Sequence, residues 1–134
     1  MNPRIIAVSA LFAALLVSGA PAYSQTAEWE TLTKEAIALY QKGQYGRAVN
    51  VAKTALEVAE KTFSPEHPAV GVSLNTLADL YHAQGQYAQA EPLYKRSLAI
   101  LEKALGPGHP SVATILNNLA VLYEIGRASC RERV

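Results

Sequence analysis

The chain has 134 residues, half of them hydrophobic and 17% charged, with a net charge of +1. Residues 25–123 hold 8 Lys and Arg against 9 Asp and Glu, a balance of about −1 that excludes the clustered basic surface a nucleic-acid binder needs. A single cysteine, Cys130, excludes an internal disulfide framework and a cysteine-cage metal site.

Residues 1–24 carry one charge, Arg4, followed by an uncharged run over 5–17. That run has the length of a signal-peptide core and is short of the roughly 20 residues that span a bilayer. Small residues follow, so cleavage is expected before Tyr23 or before Gln25, with the second preferred because it leaves a polar start. The chain is therefore read as exported, to a bacterial periplasm or beyond, with no membrane contact once the signal is removed.

The body repeats itself. Shifted by 42 residues, Gly43 falls on Gly85, Tyr45 on Tyr87 and Ala48 on Ala90. Pro65, His67 and Pro68 fall on Pro107, His109 and Pro110, and Leu74, Asn75, Leu77, Ala78 and Tyr81 fall on Leu116, Asn117, Leu119, Ala120 and Tyr123. Each unit reads as two helices. Leu74, Leu77, Ala78 and Tyr81 recur at steps of three and four, as do Tyr87, Ala90, Tyr94, Ser97, Leu98 and Leu101. Gly85 sits where a helix ends in a left-handed residue, and Pro110 where a first turn accepts proline. Helices are expected over 28–42, 45–62, 69–84, 87–105 and 111–123. Pro92 lies early in the fourth of these; it removes one backbone donor and should cost stability or bend the axis there.

Residues 74–94 and the linker 105–110 resemble the tetratricopeptide repeat, in the 42-residue type found in kinesin light chains. The resemblance covers about 28–123. It implies an all-α, right-handed solenoid of helix-turn-helix repeats: a degenerate capping repeat over 28–63, a second over 70–105, and the first helix of a third over 111–123. That last helix lacks its partner, so one apolar face should be bare and the fragment marginally stable.

Residues 124–134 break the pattern. They resemble the translation of a short-read sequencing adapter, in a frame whose next codon is a stop. The segment is expected to be foreign, the natural chain to continue past Tyr123, and Cys130 with the tail arginines to carry no function.

No nucleophile elbow, phosphate loop or HExxH pattern occurs. His67 and His109 are equivalent linker positions, read as capping geometry ahead of proline rather than as ligands. No catalytic residue, metal site or cofactor is expected. Mid-helix asparagine has poor helix propensity, and its amide both donates and accepts, so Asn75, Asn117 and Asn118 point to a peptide backbone or to bracing between helices. In the resembling family the first helix of each repeat lines the inner groove, which here implies Thr33, Ile37, Tyr40, Asn75, Asp79, His82, Asn117, Asn118 and Val121. That face offers no lysine or arginine, so recognition of a C-terminal carboxylate is not expected. The chain is read as a non-enzymatic scaffold for a protein or peptide ligand. The alternatives are the recruitment region of a larger enzyme, such as a caspase-like peptidase, and a surface for self-association.

Overall fold

The computed structural model describes residues 21–133. Five helices follow one another: α1 (Pro21–Gln41), α2 (Tyr45–Thr62), α3 (Pro68–Ala83), α4 (Tyr87–Leu105) and α5 (Pro110–Glu132). The export signal read over 1–24 lies mostly outside the described residues; residues 21–24 form the first turn of α1.

Glycine sets the turns. Gly43 and Gly85 take φ of 73° and 75°, a region that costs glycine nothing. At each, two bonds close the helix end. Gly43 and Gln44 donate to the Tyr40 and Leu39 carbonyls, both at 2.9 Å. Gly85 and Gln86 donate to the His82 and Tyr81 carbonyls, at 2.9 and 2.8 Å. This six-to-one, five-to-two pairing satisfies carbonyls that a helix end otherwise leaves open. One repeat on, the same position is Arg127. With no glycine at that position, and Gly126 beside it held inside the helix, α5 runs through to Glu132, nine residues beyond the end expected from the repeat. At the other end of the fold, α1 starts earlier than the periodicity predicts, because Pro21 opens a helix and residues 22–27 bear nothing that breaks one.

The other linkers are capped by histidine. His67 and His109 are extended N-cap residues, and each Nδ1 accepts from the backbone N–H two residues on, Ala69 at 3.1 Å and Ser111 at 3.2 Å. Pro68 and Pro110 follow at the first helical position, where their missing N–H has no role to lose. The histidines thus serve as caps, as the sequence suggests. Pro92 lies inside α4 without ending it.

Packing is serial. Ala36, Leu39, Ala48, Val49 and Ala52 of the first pair bury against Leu77 and Leu80 of α3. Ala59, Val70, Leu74 and Ile100 join α2, α3 and α4, with Trp29 and Phe63 against them. Ala78, Ala90, Tyr94 and Leu101 close on Val112, Ile115, Leu119 and Leu122 of α5. The α3–α4 crossing is close. A Cβ built on Gly71 would lie 2.8 Å from Leu101 Cγ, and buried Ser97 donates to the Gly71 carbonyl at 2.6 Å. Across the first repeat boundary Trp29 Nε1 donates to Ser73 Oγ at 2.7 Å, and the indole meets Phe63 edge-on. The architecture is an all-α superhelix of helix pairs, with no strand among the described residues.

Candidate functional site

The first helix of each unit, α1, α3 and α5, contributes one side of the solenoid, and the 42-residue register places equivalent residues there. Thr33, Asn75 and Asn117 occupy one position in successive units; Ile37, Asp79 and Val121 occupy the next; Tyr40 and His82 occupy a third. Most of these residues do come together, around Asp79.

Asp79 is half-buried and held by three neutral donors. Tyr94 Oη, from α4, donates to Oδ1 at 2.5 Å. Asn118 Nδ2, from α5, donates to the same oxygen at 3.0 Å. Asn75 Nδ2, one turn earlier on α3, donates to Oδ2 at 3.3 Å. Because a carboxylate only accepts, it fixes which way both amides face. Asn75 Oδ1 is thereby turned away, buried and without a partner among the described residues. Burial pushes the Asp79 carboxyl above its ordinary range, against the three donors and nearby His82, which pull it down. Tyr94 is fully buried, and its hydroxyl is pushed well above the usual phenol range, first by burial and then by Asp79.

Three hollows open on this side. One of about 400 Å³ is lined by Tyr40, Asp79, His82, Ala83, Tyr87 and Asn118. A second, of about 410 Å³, shares Tyr40 and Asp79 and adds Ile37, Gln41, Val72, Asn75, Thr76 and Leu80. A smaller third lies between α3 and α5, with Asn75, Val72, Ser111 and Thr114 on its wall. Aromatic pairs repeat along the groove: Tyr40 on Tyr45 with centroids 5.6 Å apart, and His82 on Tyr87 at 5.4 Å.

Not every expected residue joins. Thr33 spends its hydroxyl proton on the Trp29 carbonyl at 2.8 Å. Asn117 and Val121 are exposed on α5 and line none of these three hollows. Asn75 pairs within its own helix, and it is Asn118 that links α5 to α3. Tyr87 and Tyr94 share one helical spacing in the sequence, yet Tyr94 packs in the core and also donates to Asp79, while Tyr87 forms a wall of the hollow. Nothing in the sequence pattern separates such a tyrosine from its neighbours, since the pairing spans two helices. Among the described residues no cluster of histidine, cysteine and carboxylate groups could hold a metal. No described helix is long and apolar enough to cross a membrane.

A family model described as tetratricopeptide repeat matches residues 30–103 and 74–129. Among solved structures, the chain is similar to BtubC (BKLC) from P. vanneervenii, at 23% identity and a TM-score of 0.68, over 73% of this chain and 39% of that one. It is also similar to the nearly identical TPR-like repeats of a putative kinesin light chain from Podosopora anserina, at 30% identity and a TM-score of 0.65, over 74% of this chain and 47% of that one. The chain thus spans less than half the length of either. No curated protein matches it.

Proposed function

Since the chain belongs to the tetratricopeptide-repeat family, a fold of protein-interaction scaffolds, we propose that it is a non-enzymatic scaffold whose concave side holds an extended segment of a protein partner. The observation that carries this reading is the pair of adjoining hollows around Asp79. They share Tyr40 and Asp79 and together make a trough that reaches from α1 across α3 to Asn118 of α5, with polar Asn75, Asp79, His82 and Asn118 set among apolar and aromatic side chains, a mix suited to an extended segment.

Site-specific photo-crosslinking tests the reading. A benzophenone side chain at Ile37 or Gln41, which line the trough, is expected to capture a partner; one at exposed Glu57 of α2 is not. Capture at Glu57 alone would place binding on the other side.

Export belongs to the same proposal. It rests on the composition of residues 1–24. Amino-terminal sequencing of chain recovered outside the cytoplasm should begin at Tyr23 or Gln25; recovery only inside cells with Met1 intact would end the idea.

A further inference from the structure

Asp79 is not required by the repeat. The equivalent position one unit earlier is Ile37 and one unit later Val121, both on the same side of the solenoid, 43% and 37% exposed. An aliphatic side chain fills this rung where Tyr94's equivalent is Ala52; at Asp79 the carboxylate serves Tyr94 and two asparagines and has acceptor capacity left over. Asp79 is ringed by neutral donors, and no lysine or arginine pairs with it among the described residues; the three ion pairs there join other side chains. A carboxylate has about four lone-pair sites, and three are taken. Beside it opens the 400 Å³ hollow, whose walls are the rings of Tyr40, Tyr87 and His82. Tyr40 and Tyr87 are 42% and 36% exposed, so part of each ring is open to a guest.

We infer that this hollow receives a cationic side chain, a lysine or arginine carried by the partner segment that lies along the concave side. The inference rests on the scaffold reading above and adds the chemistry of the partner. An ammonium or guanidinium in the hollow meets the open site on Asp79 and the negative faces of two phenol rings, an arrangement that favours cations over neutral side chains of equal length. Burial raises the carboxylate's pKa in spite of its three donors and His82, so its negative charge is under-compensated. Tyr94 and Asn118 hold the carboxylate in place, so little side-chain order remains to be lost on binding. The rival is internal: the His82 imidazole lines the same hollow and acts on the Asp79 carboxyl.

The test uses the full ¹⁵N-labelled chain and three capped pentapeptides, acetyl-Gly-Gly-X-Gly-Gly-amide with X as lysine, arginine or norleucine, while the side-chain amide signals of Asn75 and Asn118 are followed. Lysine and arginine peptides should shift both signals saturably and bind roughly tenfold more tightly than norleucine. Asp79→Asn should erase the preference with the helical circular dichroism unchanged. Asp79→Val, which copies the next rung, should do the same and guards against an amide that still binds. Equal response to lysine and norleucine overturns the cation site and leaves the scaffold reading standing. No response to any peptide counts against both. Preference that appears only in His82→Gln shows that His82 itself serves the open site on Asp79 and overturns the inference.

Discussion

The hydroxyl of Tyr94 donates to the carboxylate of Asp79 across the α3–α4 crossing, at 2.5 Å, from a ring that solvent does not reach. A hydrogen bond to a charged acceptor contributes about 1.5–3 kcal/mol. Tyr94→Phe keeps the ring and removes only the donor, so it is expected to lower stability by about 2 kcal/mol in urea unfolding. In the Asp79→Asn background the same change should cost less. Equal cost in both backgrounds would show that the hydroxyl acts independently of Asp79.

Asp79 also makes stability depend on pH, and the sign is set by its raised pKa. The folded chain holds this proton more tightly than the unfolded chain does. The associated stability is fully present below the unfolded value of about 3.9 and is lost as pH rises through the folded value. The urea midpoint of Asp79→Asn, relative to the natural chain, should therefore improve as pH climbs from the acid range to neutrality. A relative midpoint that falls over that window would mean that the donors, and not burial, dominate.

The histidine caps predict a paired result. His67→Ala leaves the Ala69 N–H without its acceptor and should cost about 1 kcal/mol of stability. His67→Ser loses the stack on Phe63, whose centroid is 4.3 Å away, but restores a cap, so it should recover much of the loss. The equivalent pair at His109 should behave alike, since Ser111 is bonded in the same way. If serine is as damaging as alanine at both sites, the bond is incidental.

Gly71 and Gly126 are both helical and should respond in opposite directions. Alanine at Gly71 drives a methyl into Leu101 and should cost about 1–3 kcal/mol. Alanine at Gly126 meets nothing within 4 Å and should leave stability unchanged or raise it by up to about 1 kcal/mol. Thermal melts of the two variants decide this directly.

Much of the fold is legible because one register carries it. Glycine at 43 and 85, proline at 68 and 110, and tyrosine and leucine at helical spacing mark the helices over residues 45–62 and 87–105, whose bounds α2 and α4 match. The extension of α5 was also written there: moving Gly85 on by 42 reaches Arg127, so the terminator is missing. What the register hides are bonds between unequal positions. Trp29 reaches Ser73, 44 residues away, and Asn118 reaches Asp79, 39 away. Neither separation is the repeat length, so internal similarity is blind to both. The same limit explains the asparagines. Asn117 matches Asn75 by register and lies exposed, while its neighbour Asn118 has the reach to α3. Which of two adjacent amides faces a neighbouring helix depends on the crossing geometry, and that is fixed by side chains on both helices.

Serial packing leaves the helix interfaces unequal. Of the four between consecutive described helices, α4–α5 is the smallest. In such quasi-one-dimensional chains, opening begins at the least-held unit and moves inward. Amide hydrogens of α5 should then exchange first, well before global unfolding. Each such excursion lifts Asn118 off Asp79 and removes one wall of the hollow beside it. The breathing of α5 and the shape of the trough are thus one equilibrium, and whatever clamps α5 also steadies the carboxylate.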